Sequence, residues 1–244
     1  MTLEGKSVVV TGAAMGIGRY IALGCAERGA KVTIGDIDVE SLESVRAEAD
    51  AFGHGALALR TDVREESDAR ALIEGAVERF GTLDYLVNNA AIVPHFAWGG
   101  PRWPKVADME VSFFDTVIET NFRGAVLCAK YAVPHMERQG SGHIVNLYGG
   151  GAPTPPGAFA YVVTKEALVV FSRYLAEEER EFNICVVSLS PGGAIATERA
   201  PKEARSRMPS PESAGERFFL AADADMSLSG HLVDFVDGAL VAVN

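Results

Sequence analysis

A buried strand that runs into a glycine-rich turn and then a helix constrains the fold of this chain more than any other feature. Residues 6–11, KSVVVT, form the β-branched run that predicts a buried strand. Gly12, Gly16 and Gly18 follow, and residues 19–28 continue as a predicted helix. In this order a glycine turn can hold a dinucleotide pyrophosphate at the helix N-terminus. The spacing is GxxxGxG rather than GxGxxG, so the turn alone does not identify the ligand.

An acidic residue follows the second predicted strand, which covers residues 31–35. This residue, Asp36, lies 24 positions after Gly12, near where a carboxylate binds the ribose 2′-hydroxyl of a dinucleotide. Its charge would repel a 2′-phosphate, and neither Met15 nor Ile37 supplies a compensating cation. The sequence therefore predicts NAD rather than NADP, although an acid at a strand end is also an ordinary turn residue.

A tyrosine and a lysine, Tyr161 and Lys165, lie four residues apart in a stretch with helical apolar spacing over 159–175. That separation places both side chains on one helix face, one turn apart. An ammonium beside a phenol stabilises the phenolate, so the pair predicts a tyrosine with a lowered pKa that acts as a general acid/base. The same spacing also arises when a solvated lysine neighbours a half-buried tyrosine.

In this order along the chain, these segments resemble the classical short-chain dehydrogenases/reductases, and the resemblance covers essentially the whole sequence. It rests on TGAAMGIG at 11–18, Asp36, NNAA at 88–91 and the Tyr161-x-x-x-Lys165 pair. Further matches are Asp62-Val63, Asn121, Ser190-Pro191-Gly192 and the segment HLVDFVDGAL at 231–240. The resemblance implies one α/β domain over residues 1–244, a Rossmann-type doubly wound sheet of about seven parallel strands with helices on both faces.

The alternation of strand and helix patterns supports the same architecture. Strands are predicted near 6–11, 31–35, 55–60, 83–87, 142–147, 184–190 and 231–235. Helices are predicted near 16–28, 38–52, 65–80, 111–139 with a possible interruption, 159–181 and 211–221.

The resemblance also implies an NAD-dependent oxidoreductase that interconverts a secondary alcohol and a ketone. Tyr161 would exchange a proton with the substrate oxygen, Lys165 would lower the tyrosine pKa and bind the nicotinamide ribose, and Asn121 would link the lysine to solvent through water. Cofactor contacts are implied for Gly12, Met15, Gly16, Ile17, Gly18, Asp36, Ile37, Asp62, Val63, Asn89, Ala90, Ala91, Tyr161, Lys165, Pro191, Gly192, Ile195 and Thr197.

The chain departs from the family where a serine normally polarises the substrate oxygen. That position falls on Gly149, or on Tyr148 if one residue is deleted before Tyr161. Losing one such donor can cost about 10²–10³ in rate. Three alternatives follow: the phenol of Tyr148 replaces the serine, Thr154 or a substrate group supplies the donor, or a weak reductase serves other chemistry. Tyr148 is equally well explained as an aromatic filler of the pocket.

The missing serine also keeps other functions open. A non-redox dehydratase, cyclase or isomerase on the same scaffold would not need it. A binding protein that senses NAD(H) is a further alternative, but the retained Tyr161, Lys165 and Asn121 argue against it.

Three segments are expected to form the substrate site: residues 92–108, 148–158 and 198–211. The first follows the NNAA turn, and the third resembles the family's lid, in which Met208 would supply an apolar contact. An aromatic wall predicts a cyclic or aromatic substrate, although the tryptophans could equally pack the loop against the body or a neighbouring subunit. The expected substrate contacts are His95, Phe96, Trp98, Trp103, Tyr148 and Gly149.

Composition and charge narrow the classes of function and location that remain possible. A net charge of −11 argues against nucleic-acid binding, and no apolar stretch approaches a membrane span. The start shows no leader pattern, so we expect a cytoplasmic protein. Three widely spaced cysteines predict buried thiols rather than a disulfide or metal site. A small-residue face at Ala125, Ala129 and Ala132, with the apolar C-terminal GALVAVN, predicts a homo-oligomer, either a tetramer or a dimer.

Overall fold

A single eight-stranded sheet organises the computed structural model, which describes residues 3–93, 104–149, 157–193, 195–198, 205–222, 224–237 and 239–243. The strands lie in the order β3-β2-β1-β4-β5-β6-β7-β8, and the first seven in sequence run parallel. The predicted doubly wound sheet is therefore confirmed. The strands are β1 Ser7–Thr11, β2 Lys31–Asp36, β3 Ala56–Arg60, β4 Tyr85–Asn88, β5 Gly142–Leu147, β6 Ile184–Leu189, β7 Leu232–Val236 and β8 Ala239–Ala242.

Seven α-helices are described, and they follow the predicted positions closely. The segment predicted as one helix over 111–139 is interrupted by a π-helical turn, Glu119–Arg123. The helix predicted over 159–181 ends at Glu178 and is followed by a 3₁₀ turn, Arg180–Phe182. The helices are α1 Gly16–Glu27, α2 Val39–Asp50, α3 Glu66–Phe80, α4 Val111–Ile118, α5 Gly124–Gln139, α6 Phe159–Glu178 and α7 Pro211–Ala221, with a further 3₁₀ turn at Val106–Asp108.

Helices cover both faces of the sheet, which explains why its central strands are nearly continuous apolar runs. Every residue of β1 and of β6 is buried. One buried cluster joins the sheet to α1, α2 and α7, and the other joins it to α3, α5 and α6. The direction of winding reverses between β1 and β4, where folds of this kind bind ligands at the carboxyl ends of the strands.

The eighth strand was not predicted. It pairs antiparallel with β7, in the register Val233 to Ala242, and forms the edge of the sheet. Two residues connect these strands, and the first, Asp237, has φ of 50°. The dipeptide Asp237-Gly238 is a known signal for such a tight hairpin, so the sequence did contain the information.

The small residues of α5 pack in the interior of this subunit. Ala129 and Ala132 are 1% and 0% exposed and share a buried cluster with Leu72 and Ala76 of α3. Ala125 is also buried. The expectation that these alanines mark a subunit contact is therefore wrong, because they are already used where α5 packs inside the fold.

The predicted cysteine environments are confirmed. Cys25, Cys128 and Cys185 are free and buried, in α1, α5 and β6 respectively, and burial raises the pKa of each thiol. Within the described ranges, no group of three or more His, Cys, Asp or Glu side chains is arranged to hold a metal ion. None of the helices in those ranges has the length and apolar character needed to cross a bilayer.

Candidate active site

The glycine turn between β1 and α1 is built by close backbone approach. Gly12 and Gly16 have φ of +65° and +58°, conformations that favour glycine. A side chain at Gly18 would place its Cβ 2.2 Å from the carbonyl oxygen of Gly12. The Nδ2 group of Asn89 donates to the carbonyl oxygens of Thr11 and Gly12, each at 2.9 Å. The turn thus matches the cradle that a dinucleotide phosphate requires at a helix N-terminus.

An anionic group from this chain already lies at that helix N-terminus. The backbone N–H of Gly16 donates to Oε2 of Glu198 at 2.9 Å, where the helix dipole favours negative charge. Thr197 lies beside it, since a Cβ at Gly16 would be 3.0 Å from its Cγ2. The structure therefore brings Thr197, a predicted cofactor contact, to the glycine turn. Glu198 was missed, although an acid directly after Thr197 could have drawn attention to it.

The predicted ribose-binding acid, Asp36, lies next to the same turn. Its Oδ2 accepts from the backbone N–H of Ala14 at 3.1 Å, and its Oδ1 accepts from that of Asp38 at 3.1 Å. Ile37 follows with 61% of its surface exposed. A carboxylate fixed here fits hydroxyl groups of a ribose and would repel a phosphate.

Asp62 and Val63, which are implied cofactor contacts, lie beyond the end of β3. Asp62 is paired with Arg64, with 2.6 Å between Oδ2 and Nη2, and hydrogen bonding to Arg64 lowers the pKa of Asp62. Val63 is buried, and a Cβ at Gly124 would lie 2.7 Å from its Cγ2. The sequence did not reveal the ion pair with Arg64.

Helix α6 carries Tyr161 and Lys165 as predicted. Lys165 is 3% exposed, and its Nζ donates to the carbonyl oxygen of Leu147 at 2.8 Å. The Nζ atom lies 5.7 Å from the centre of the Tyr161 ring. Burial lowers the pKa of Lys165 to about 8 and raises the pKa of Tyr161 to about 12.

The direction of the tyrosine shift corrects the sequence-based expectation that Lys165 holds the pKa of Tyr161 below its usual value. Enclosure disfavours the phenolate, and the amine is directed at the Leu147 carbonyl. The phenol is therefore protonated at neutral pH in this structure and ready to donate a proton.

Asn121 lies in the π-helical turn and is 1% exposed. Its Oδ1 accepts from the backbone N–H of Ile92 at 2.7 Å, and its Nδ2 donates to the Ile92 carbonyl at 3.0 Å and to Oγ1 of Thr164 at 3.3 Å. Oγ1 of Thr164 in turn donates to the carbonyl oxygen of Tyr161 at 2.6 Å. Asn121 thus joins the segment after β4 to α6, while its water-mediated link to Lys165 stays a prediction.

The two residues that follow β5 have different surroundings. The hydroxyl of Tyr148 donates to Oε1 of Glu166 at 2.5 Å, and burial, together with Glu166, raises the pKa of Tyr148. Gly149 instead adjoins the phenol of Tyr161, since a Cβ there would lie 2.1 Å from its hydroxyl oxygen. The proposed donor role of Tyr148 would require its phenol to leave Glu166, and that role stays a prediction.

The loop after β6 also reaches this edge of the sheet. Pro191 is buried, and Gly192 has φ of +80° with its N–H donating to Oγ of Ser190 at 3.3 Å. The guanidinium of Arg217 on α7 lies against Gly192, where a Cβ would be 2.5 Å from its Cζ. Ile195 is buried. Arg217 was not among the predicted site residues.

Several predicted site residues lie outside the described residues: His95, Phe96, Trp98, Trp103 and Thr154. The remaining predicted cofactor residues Met15, Ile17, Ala90 and Ala91 lie on the glycine turn, α1 and the segment after β4.

Comparison with known proteins decides the family. The family model described as short chain dehydrogenase matches residues 6–207, most of the chain. This chain belongs to the short-chain dehydrogenases. It is 38% identical over 252 residues to cis-4-hydroxycyclohexanecarboxylate dehydrogenase from Sinomonas cyclohexanicum, covering 98% of this chain and 95% of that protein.

Solved structures of other short-chain dehydrogenases have the same fold. A 3-ketoacyl-(acyl-carrier-protein) reductase from Brucella melitensis complexed with NADH has a TM-score of 0.83 and 32% identity, with 97% of this chain and 98% of that chain covered. A short-chain dehydrogenase from Burkholderia cenocepacia in complex with NADP has a TM-score of 0.85 and 26% identity, with 98% and 99% covered. This short-chain dehydrogenase is thus an oxidoreductase of a family that binds nicotinamide cofactors and acts on small molecules.

Proposed function

We propose that this protein is an NAD-dependent dehydrogenase/reductase that interconverts a secondary alcohol on a ring and the corresponding ketone. The observation that carries the proposal is the pair of Tyr161 and buried Lys165 on one face of α6, beside Gly149 at the carboxyl ends of the strands, where the glycine turn also lies. A phenol and an amine in this arrangement can transfer a proton to or from a substrate oxygen.

Different residues of this chain have different roles in the proposed reaction. A bound nicotinamide would supply or accept the hydride. Tyr161 is protonated at neutral pH and donates its proton to the oxygen of a ketone as that oxygen becomes an alcohol. Lys165, with a pKa of about 8, carries positive charge at neutral pH and stabilises the phenolate that remains. In alcohol oxidation the same proton returns to Tyr161.

NAD is the cofactor favoured by the charge at the end of β2. The Asp36 carboxylate is held by the N–H groups of Ala14 and Asp38, so it cannot easily turn away from an incoming ribose. A 2′-phosphate would meet this charge directly. The other cofactor contacts proposed from the sequence, from Gly12 to Thr197, are retained in the proposal.

A cyclic substrate is supported by two independent observations. The sequence places four aromatic or imidazole side chains in residues 92–108, next to the cofactor edge. The relative from Sinomonas cyclohexanicum acts, by its name, on a hydroxylated cyclohexane ring. Segments 92–108, 148–158 and 198–211 are proposed to line the substrate site.

The test is a spectrophotometric assay of NADH with a panel of cyclic alcohols and ketones. We expect turnover with at least one ring substrate and a loss of about 10²-fold or more in kcat for Tyr161→Phe, with NADH binding retained in calorimetry. Absence of NADH binding would overturn the proposal. Product formation without net change in NADH would instead favour the alternative function of a non-redox enzyme, for which the missing serine is the main support.

The donor role of Tyr148 has its own test in the same assay. If Tyr148 supplies the hydrogen bond of the missing serine, Tyr148→Phe lowers kcat by about 10²-fold. A rate within a few-fold of the wild type contradicts that role.

We further infer a cytoplasmic homo-oligomer, a dimer or tetramer. The support comes from an apolar stripe on α6: Phe159, Val163, Val170 and Tyr174 are 45, 37, 50 and 67% exposed and follow helical spacing along one face. A second copy of the chain is the partner for which such a face is suited. A monomer in sedimentation at micromolar concentration would refute the inference.

A further inference from the structure

We propose that Gly149 is a positioning residue for the catalytic tyrosine: its lack of a side chain lets the Tyr161 hydroxyl occupy the space that a side chain at position 149 would fill. The proposal rests on the proposed function and deepens it. It implies that a side chain introduced at position 149 would displace the proton-transferring phenol.

Any side chain at position 149 would require the Tyr161 hydroxyl to shift. A Cβ there would lie 2.1 Å from the hydroxyl oxygen of Tyr161, 3.2 Å from Cζ and 3.6 Å from Cε1. Nonbonded heavy atoms prefer separations of about 3.5 Å, so the hydroxyl would have to move by more than about 1 Å.

Two hydrogen bonds to neighbouring elements restrain α6 against moving as a unit to relieve that contact. Nζ of Lys165 binds the carbonyl oxygen of Leu147 at 2.8 Å, which ties α6 to the end of β5 two residues before Gly149. Nδ2 of Asn121 donates to Oγ1 of Thr164 at 3.3 Å, which ties α6 to the π-helical turn. The phenol must therefore rotate about its own side-chain bonds, which changes where its hydroxyl meets a substrate.

The backbone at position 149 does not itself require glycine. Gly149 is absent from the described residues with positive φ, so alanine and serine can adopt its conformation. An effect of substitution would then come from the contact with Tyr161 and not from strain in the chain.

Resemblance to the family and this geometry make opposite predictions for Gly149→Ser. If the position merely lacks a donor, the serine hydroxyl should restore about 10²–10³ in rate. If the phenol uses the space, the new Cβ displaces it, and a misplacement of about 1 Å can cost about 10²-fold. The sign of the change in kcat therefore separates the two accounts.

The kinetic experiment compares the wild type with Gly149→Ala and Gly149→Ser in the NADH-coupled assay. We expect both variants to lose about 10- to 100-fold in kcat, with the Kd for NADH changed by less than about threefold in calorimetry. Gly149→Ala isolates the Cβ, and Gly149→Ser adds the hydroxyl. A Gly149→Ser enzyme as fast as or faster than the wild type would overturn the proposal.

A second measurement tests the contact without relying on turnover. Thermal unfolding of Gly149→Ala is compared in the wild-type and Tyr161→Phe backgrounds, because phenylalanine removes the atom 2.1 Å away and leaves Cζ at 3.2 Å. We expect a larger fall in Tm in the wild-type background, a coupling that neighbouring residues show and distant ones do not. Equal falls would overturn the proposal. If no substrate is turned over, the proposed function fails. The comparison of Tm values in the two backgrounds still decides the role of Gly149.

Discussion

The carboxylate of Glu198 accepts a hydrogen bond from the backbone N–H of Gly16, the first residue of α1, at 2.9 Å. The two residues are 182 positions apart in the sequence. Because the N-terminus of α1 is where a dinucleotide phosphate is expected, the carboxylate and the phosphate would compete for the same donor.

Removing the charge of Glu198 should strengthen cofactor binding. We expect Glu198→Gln to lower the Kd for NADH about two- to fivefold in calorimetry, the effect typical of one charge near a helix N-terminus. Glu181→Gln, which removes the same charge from the exposed 3₁₀ turn after α6, serves as the control. Unchanged or weaker NADH binding in Glu198→Gln would contradict the competition.

Neutralising Asp36 should relax the preference for NADH over NADPH. We expect Asp36→Asn to reduce the ratio of the two kcat/KM values about tenfold, because repulsion of the 2′-phosphate is removed. The matched control is Asp38→Asn, which removes a charge two residues away and keeps an equally good N-cap for α2. A wild type that prefers NADPH would show that the interpretation of Asp36 is mistaken.

Burial of Lys165 should make stability depend on pH. Its pKa falls from 10.5 to about 8 on folding, so between these values the unfolded chain binds more protons and stability rises with pH. In Lys165→Met this contribution disappears. The free energy of unfolding of the variant minus that of the wild type should therefore decrease from pH 8 to pH 10.5 in urea denaturation.

Lys130→Met is the control for this pH dependence. Lys130 is exposed, and Glu66 raises its pKa, so its contribution to stability can only be lost as pH rises, and the difference from the wild type should not decrease over the same interval. A difference that does not decrease for Lys165→Met would contradict the assigned shift.

Asn121 should contribute strongly to stability through its two bonds to Ile92. Asn121→Leu leaves the partly buried N–H and carbonyl groups of Ile92 without this partner, which should cost about 2–4 kcal/mol in the free energy of unfolding. Thr164→Val removes only the 3.3 Å bond from Asn121 and the bond to Tyr161, so it should cost about 1 kcal/mol. Chemical denaturation followed by circular dichroism measures both, and equal losses would argue against the ranking.

The parts of the site that depend on short segments were predictable. The β-branched run before Gly12, the acid at the end of β2 and the four-residue spacing of Tyr161 and Lys165 are local patterns, and each lies on the predicted element. The interruption at Glu119–Arg123 was anticipated as well, although its π-helical form was not.

The expectations that failed concern which surface packs against which. The alanines of α5 were assigned to a subunit contact, but a small-residue face looks the same in sequence whether it meets another subunit or α3. The edge strand β8 was overlooked because its alternation is short, and its hairpin signal lies in a single dipeptide.

The sequence by itself indicated the family through its motifs, determined the order of strands and helices, and predicted which residues transfer protons, because motifs and periodicity are properties of short segments. Only the tertiary structure decided that Glu198 accepts a hydrogen bond from Gly16 and that the Tyr161 hydroxyl lies beside Gly149. It also decided that burial raises the pKa of Tyr161 and lowers the pKa of Lys165, so that both neutral forms are favoured. These outcomes depend on distances between remote segments and on exclusion from water, which no local pattern of residues specifies.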